Sequence, residues 1–221
     1  MEQIAKIIAL SQITHDVISI RLTKPPGYTF DPGQATEISI NKPEWKHEKR
    51  PFTFTSLNEW PWLEFIIKVY TDHEGVTQQL ARLQPGDELI VGDPWGAISY
   101  HGEGYFIAGG AGITPFVAIL RKLHLEQKAK HNTLFFFNKT IKDIILKEEL
   151  TFSMGEKVHF LFTRERIPGD NIGHVNKFFL KQEVRDFAKP FYVCGPEKMV
   201  SEIIALLSEM GVKAEFLIFE K

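Results

Sequence analysis

The sequence predicts two domains, an N-terminal six-stranded antiparallel β-barrel followed by a C-terminal α/β domain with a parallel sheet. Between residues 4 and 98, short apolar runs alternate with turn residues, a pattern typical of antiparallel strands. From residue 105 onward, each apolar run but the last is followed by a helical pattern. The polar, glycine-containing stretch SYHGEG separates the two patterns. We therefore expect domains at residues 1–101 and 102–221.

The first domain contains six candidate strands bounded by turns rich in proline, glycine and asparagine. The strands are IAKIIALSQI, DVISIRLT, QATEISI, RPFTFTS, LEFIIKVY and DELIVG. GVTQQLARL, residues 75–83, is a short helical signal in which Thr77 is expected to help cap the first turn. Six short strands with one helix are typical of a closed antiparallel barrel.

The second domain alternates apolar runs with helical patterns. The runs are YFIAGG, NTLFFFNK, VHFLFT, PFYVCG and AEFLIFEK. The helical patterns after the first four are TPFVAILRKLHLEQKAK, IKDIILKEELTFS, GHVNKFFLKQ and PEKMVSEIIALLSEM, and Gly211 supplies a stop for the last. This alternation predicts a parallel sheet covered by helices on both faces.

Charge, apolar runs and the numbers of cysteines and histidines argue against several classes of protein. The net charge is -2, with 26 basic and 28 acidic residues and no dense basic run, so nucleic-acid binding is not expected. The N-terminus lacks the apolar core of a signal peptide, and no run approaches the roughly 18 apolar residues of a transmembrane helix. We expect a cytoplasmic monomer without membrane insertion. One cysteine excludes an internal disulfide and a four-thiolate cluster, and the eight histidines form no ligand pattern, so no metal is expected.

The stretch KRPFTFTS, residues 49–56, places a cation before an alternation of phenylalanines and hydroxyl residues. One interpretation is a half-buried strand with Arg50 at its solvated end. The other is a binding strand in which Arg50 holds an anion, an aromatic ring covers a flat ligand and a hydroxyl contacts a heteroatom. Phe54 is expected in the core.

Two segments have the pattern of phosphate-binding turns. IAGGAGITPF, residues 107–116, follows a strand and begins a helix, so its glycines expose backbone N-H groups where a pyrophosphate could approach. Proline suits the first helical position there. FIIKVYTDHEGVTQQL, residues 65–80, pairs a strand with a helix start in the barrel. The alternative for the first is a tight strand-to-helix turn, and taken alone the second is weak.

Two further motifs follow predicted parallel strands, where α/β sheets place their ligands. Cys194 lies near the end of the run PFYVCG and is followed by Gly195 and Pro196, although a single cysteine on an apolar strand is more often a buried small residue. Thr163 and Arg164 follow VHFLFT, where a guanidinium could bind the 2′-phosphate that distinguishes NADP from NAD. A solvated loop is the alternative for this pair.

In chain order, RPFTFTS, GVTQQL, LQPGDELIVGDPWG, IAGGAGITP, TRE and YVCGP resemble the ferredoxin-NADP reductase family, near its bacterial flavodoxin reductase and flavin reductase branches. The likeness covers nearly the whole chain in order and spacing. It implies that the barrel binds FAD and that the second domain binds NADPH or NADH.

The resemblance also implies residue roles. Arg50 would bind the flavin pyrophosphate, Phe52 would lie against the isoalloxazine ring, and Thr53 would hydrogen-bond near flavin N5. The family usually has tyrosine in place of Phe52, so the phenolic hydrogen bond is lost while stacking is kept. Thr53 and Cys194 are the predicted catalytic pair, in the sense that they converge where nicotinamide meets flavin. The other predicted flavin contacts are Pro51, Ile67, Lys68, Val69, Tyr70, Gly75, Val76 and Thr77.

The predicted pyridine-nucleotide contacts lie in the second domain. They are Gly110, Gly112, Ile113, Thr114, Pro115, Thr163, Arg164, Cys194, Gly195 and Pro196. The implied function is an FAD enzyme that takes a hydride from NAD(P)H and passes electrons to flavodoxin or ferredoxin. Two alternatives stay open: a reductase of free flavin or ferric chelates, and a non-catalytic subunit that holds flavin within a complex.

Overall fold

The N-terminal half of the computed structural model is a closed barrel. The structure describes residues 2–72, 74–96, 98–165 and 175–219, and this barrel is built from the first six strands. These are β1 Gln3–Thr14, β2 Val17–Thr23, β3 Ala35–Ile40, β4 Arg50–Thr53, β5 Trp62–Lys68 and β6 Glu88–Val91. They pair antiparallel in the order β4-β3-β6-β1-β2-β5. A bridge between Phe54 and Phe65 connects the two ends, which confirms the predicted antiparallel barrel.

Phe54 packs the segment RPFTFTS into the barrel core. Phe54 is fully buried, stacks on Phe30 with ring centroids 4.1 Å apart, and lies 5.0 Å from the ring of Phe65. The predicted core position of Phe54 is therefore confirmed. Beyond Thr53 the chain leaves the strand, so β4 is shorter than the predicted 50–56 segment.

The short helix α1 spans Val76–Leu80, and Gly75 is its N-cap residue. The predicted cap by Thr77 is wrong, because Thr77 lies inside the helix and its hydroxyl accepts a hydrogen bond from the backbone N-H of Tyr70 at 3.2 Å. The helix also ends at Leu80 rather than at Leu83. Thr77 therefore ties the helix to the end of β5 and the residues that follow it.

The C-terminal half is a parallel sheet with five strands among the described residues. These are β7 Tyr105–Gly109, β8 Thr133–Asn138, β9 Val158–Phe162, β10 Phe191–Cys194 and β11 Leu217–Phe219, in the order β11-β10-β7-β8-β9. All four pairings are parallel. The helices are α2 Thr114–Leu125, α3 Lys147–Met154, α4 Lys177–Glu183 and α5 Glu197–Glu209. None of these, nor α1, is long and apolar enough to cross a membrane within the described ranges.

Helices cover both faces of this sheet, as predicted. Alternate residues of β7 point to opposite faces, because the side-chain period of a strand is two. Phe106 shares one buried cluster with Phe116 of α2, whereas Ile107 shares another with Phe179 of α4 and Leu207 of α5.

The segment IKDIILKEELTFS differs from its prediction as one helix. Thr140 and Asp143 form a capping box around a single 3-10 turn, Ile141–Asp143, and Ile144 is extended. Leu146 has a left-handed backbone with φ +54, so α3 begins only at Lys147. Ile144 and Ile145 are buried, which shows that tertiary packing overrides the helical pattern here.

Candidate functional site: a cleft between barrel and sheet

A cleft of about 340 Å³ lies between the barrel and the carboxyl end of the parallel sheet. Thr53 comes to it from β4, and Cys194 comes to it from the end of β10. The remaining lining residues are Ala35, Pro51, Trp95, Gly195 and Val200. The structure therefore brings together Thr53 and Cys194, the two residues that the sequence singles out as converging.

Strand β4 determines which residues of RPFTFTS face the cleft. Thr53 pairs with Ala35 of β3, and both line the cleft together with Pro51. Because side chains alternate along a strand, Phe52 points away from the side on which Thr53 lies. It is half-buried and packs against the barrel core. Thr53 is therefore the hydroxyl of this segment that reaches the cleft.

The hydroxyls of Thr55 and Ser56, which follow in the same segment, form hydrogen bonds within the barrel. Thr55 donates its hydroxyl to the Glu64 carboxylate at 3.0 Å, and the backbone N-H of Glu64 donates to Ser56 Oγ at 3.0 Å. Both residues are fully buried. Their hydroxyls fix the chain after Thr53.

Arg50 is exposed at the start of β4. Its Nη1 donates to the carbonyl of Lys49 at 2.7 Å, and its Nη2 lies 3.4 Å from the Glu48 carboxylate. These contacts belong to its own loop, at the surface, so an anionic ligand can replace them at little cost.

The glycine-rich loop continues directly from β7 into α2. Gly110–Ile113 form a 3-10 turn, and Pro115 lies in the first turn of α2, as predicted. The hydroxyl of Thr114 donates to the carbonyl of Ala111 at 3.0 Å, which fixes the loop. Gly110 has φ +52, and no described atom lies within 4 Å of the position that a Cβ would occupy.

Gly112, unlike Gly110, has no room for a side chain. A Cβ built on Gly112 would lie 2.5 Å from the carbonyl carbon of Cys194 and 2.6 Å from Cα of Gly195. The backbone of the loop therefore contacts the end of β10 directly. This contact places Cys194 and Gly195 beside the loop, and Pro196 follows as the residue that precedes α5.

The ends of β8 and β9 lie side by side at the same edge of the sheet. The N-H of Thr163 donates to the carbonyl of Asn138 at 2.9 Å, and that of Arg164 to the carbonyl of Lys139 at 2.9 Å. Arg164 is exposed, and residues 166–174, just beyond it, lie outside the described part of the chain. Asn138 is buried, and its Oδ1 has no hydrogen-bond partner within the described residues.

Most of the predicted flavin contacts between Ile67 and Thr77 have side chains that are engaged within the barrel, so they could contact a flavin mainly through backbone atoms. Ile67 and Val69 point into the barrel core, and Lys68 forms a 2.8 Å ion pair with Asp16. The side chain of Tyr70 is exposed, and Gly75 precedes α1. Val76 belongs to the same core cluster as Phe52.

Trp95 is a cleft residue without a predicted role. The residue is 44% exposed, and its backbone N-H and carbonyl form hydrogen bonds with Ala35, at 2.8 and 2.7 Å. The only sequence signal was its place in LQPGDELIVGDPWG, where an aromatic residue follows a proline turn.

Two family models match the chain in the order of its two domains. A model described as an FAD-binding domain matches residues 2–95, and one described as an oxidoreductase NAD-binding domain matches residues 106–204.

Relatives of known name match most of the chain. It is 30% identical over 227 residues to NADH-cytochrome b5 reductase 1 of Pyricularia oryzae, covering 91% of this chain and 72% of that protein. It is 25% identical over 234 residues to the reductase component of propane 2-monooxygenase of Rhodococcus jostii, covering 98% of this chain. The chain spans 62% of the length of the Rhodococcus protein.

The fold also matches solved structures. A ferredoxin NADP+ reductase from Neisseria gonorrhoeae with bound FAD and NADP has a TM-score of 0.82 at 19% identity, covering 99% of this chain and 98% of that one. The FAD/NAD-binding domain of nitric oxide dioxygenase from Vibrio cholerae has a TM-score of 0.85 at 19% identity, covering 99% and 97%.

An antiparallel barrel matched by an FAD-binding model, followed by a parallel sheet matched by an NAD-binding model, defines a two-domain protein for a flavin and a pyridine nucleotide. More particularly, the chain belongs to the ferredoxin-NADP reductase-like family.

Proposed function

We propose that this chain is a flavin-dependent NAD(P)H oxidoreductase, in which residues 1–101 hold FAD and residues 102–221 hold NADPH or NADH. The observation that carries the proposal is the cleft in which Thr53 of the barrel and Cys194 of the sheet lie together. That cleft joins the half that matches an FAD-binding model to the half that matches an NAD-binding model.

The described residues fit both groups. Exposed Arg50 can exchange its contacts within its own loop for a pyrophosphate, for which a guanidinium is well suited. Gly110 leaves its backbone open to a second phosphate group where the chain turns into α2. The loop that contains Gly110 lies against Cys194 and Gly195, so phosphates bound there have the cleft next to them.

Bound together, FAD and NAD(P)H supply the hydride transfer, and the protein supplies their position. In this proposal Thr53 donates a hydrogen bond near the flavin ring, and Phe52, which packs against the barrel core, lies against that ring. Cys194, Gly195 and Pro196 orient the nicotinamide. Neither Thr53 nor Cys194 acts as an acid or a base, and Arg50 contributes to affinity rather than to the chemical step.

We further propose a protein acceptor that takes one electron at a time, with flavodoxin or ferredoxin as the first candidates. The names of the relatives support a protein acceptor, since they include a monooxygenase reductase component, a cytochrome b5 reductase and a ferredoxin NADP+ reductase. A chain with one cysteine cannot build a four-thiolate cluster, so the one-electron carrier would have to be a separate domain or protein.

The purified protein should be yellow with one FAD per chain, and NADPH or NADH should bleach it anaerobically. Reoxidation is then timed with flavodoxin, ferredoxin, cytochrome b5, free FMN and ferric citrate. Fastest reoxidation by a protein carrier supports the proposed acceptor, and fastest reoxidation by FMN or ferric citrate replaces it with a small molecule. A colourless protein that takes up no FAD contradicts the function itself.

Arg164 provides a test of nucleotide preference. Arg164→Ala should lower the ratio of kcat/KM for NADPH over NADH by about tenfold, because a charge-assisted phosphate contact contributes roughly 1.5–3 kcal/mol. Lys157→Ala is the matched control, since Lys157 precedes β9 at the opposite end from Arg164. An unchanged ratio in Arg164→Ala would remove this residue from phosphate recognition.

A further inference from the structure

Arg121 of α2 joins the α/β domain to the barrel through a buried ion network. Its Nη1 donates at 2.6 Å both to the carbonyl of Thr55 and to Oε1 of Glu64 on β5. Its Nε and Nη2 bind the two carboxylate oxygens of Glu149 on α3, at 2.6 and 2.9 Å. The Arg121 side chain is only 14% exposed.

Glu64 completes the network on the barrel side, and its side chain is 3% exposed. Its Oε2 accepts from Nε of Arg21 at 3.0 Å, and its Oε1 accepts from the hydroxyl of Thr55 at 3.0 Å. Two guanidinium groups therefore balance two carboxylates. The Trp60 ring lies 5.1 Å from the Arg121 guanidinium, at a distance suited to a cation-π contact.

Both central groups stay charged. Burial opposes ionisation of Glu64, but Arg121, Arg21 and Thr55 together outweigh it and hold the pKa of that carboxyl below its ordinary value. Burial also opposes the charge on Arg121, but Glu149 and Glu64 raise the pKa of the guanidinium. The network is therefore intact at neutral pH.

The network connects the two sides of the cleft. Thr55 lies two residues after Thr53, the cleft residue of β4. Arg121 lies two helical turns, about 10 Å, after the start of α2, where the glycine-rich loop ends. A displacement of α2 relative to Thr55 would therefore displace the loop relative to Thr53.

A buried ion pair stabilises a fold little compared with apolar packing. The planar guanidinium of arginine, however, keeps its hydrogen bonds only in a narrow range of geometries. We propose that Arg121 is a positioning residue for hydride transfer, holding the glycine-rich loop at a fixed distance from Thr53 through Thr55 and Glu64. This inference rests on the proposed function, because it presumes that flavin and nicotinamide meet in the cleft.

Arg121→Lys is the variant that tests the inference, since lysine keeps the charge and loses the planar fork. The measurement is the limiting rate of FAD reduction in anaerobic stopped-flow experiments, at saturating NADPH or NADH, whichever reduces the wild-type protein faster. We expect that rate to fall at least tenfold while FAD content stays at one per chain, because small misplacements of reacting groups are costly. Lys122→Gln is the matched control, as it breaks an exposed 2.7 Å ion pair with Glu59 one residue further along α2, and should react at the wild-type rate.

Glu149→Gln is a milder second variant, because Glu149 is 38% exposed and glutamine keeps its shape. We expect a several-fold fall in the limiting rate with an unchanged thermal midpoint. A wild-type limiting rate in either folded variant overturns the inference, and so does a fall that only tracks loss of FAD. Failure of the wild-type protein to bind FAD or to be reduced would instead overturn the proposed function.

Discussion

Replacing Gly112 by alanine should reduce the rate of flavin reduction by NAD(P)H by about 100-fold or more while leaving FAD bound to the barrel. The added methyl group would lie 2.5 Å from the carbonyl carbon of Cys194 and 2.6 Å from Cα of Gly195. These are backbone atoms of the chain that leaves β10, so no side chain can rotate away. The loop must move away from the cleft, and a misplacement of about 1 Å is sufficient for a 100-fold loss.

Gly110→Ala is the matched control for this effect. Its Cβ would meet no described protein atom within 4 Å, so within the protein the cost is limited to the left-handed backbone at φ +52. That strain is about 1–2 kcal/mol and should lower the thermal midpoint slightly, with a much smaller effect on flavin reduction than Gly112→Ala has. In the proposed function the methyl group would also lie where the nucleotide phosphate approaches, so we expect a higher KM for the nucleotide, and flavin reduction is compared at saturating nucleotide. Single-turnover reduction and FAD content are measured for both variants. Equal rates in Gly112→Ala and the wild type would show that contact between the loop and β10 does not matter for the reaction.

The elements of the fold were predictable because their signals are local. Apolar runs bounded by proline and glycine turns marked the strands of the barrel, and Gly211, with φ +88, ends the last helix as predicted. The order β4-β3-β6-β1-β2-β5 was not predictable, since it depends on which distant strands pack together. Leu146 shows the same limit on a smaller scale, because burial of Ile144 and Ile145 interrupts a pattern that is helical by itself.

Some residues of the candidate site could be predicted from the sequence, and others could not. The family resemblance implied that Thr53 and Cys194 converge. The strand-end position of Cys194 by itself indicated only that it lies at the edge where α/β sheets place their ligands. Arg121 and Glu64 carried no such signal, since a charged residue in a helix and another in a strand are ordinarily solvent-exposed. Their contact joins positions far apart in the chain, and only the packing of α2 against the barrel reveals it.

Truncation of Phe52 and truncation of Phe54, the two phenylalanines of RPFTFTS, should have different effects on stability and on FAD binding. Phe54 is fully buried between Phe30 and Phe65, at the bridge that closes the barrel. Phe52 is half-buried, and in the proposed function it also lies against the flavin ring. Truncation at Phe54 leaves a cavity in a core that cannot collapse easily, whereas truncation at Phe52 opens onto the surface.

Phe54→Ala should therefore destabilise the protein by about 3–5 kcal/mol, which lowers the thermal midpoint by about 10 °C. Phe52→Ala should lower the midpoint far less but weaken FAD binding, measured by titrating FAD into apoprotein and following flavin fluorescence. Phe54→Leu, which fills most of the cavity, should recover most of the lost stability. If Phe52→Ala bound FAD as tightly as the wild type while Phe54→Ala unfolded as expected, Phe52 would be a barrel residue alone, and Thr53 would be left as the proposed flavin contact of this strand.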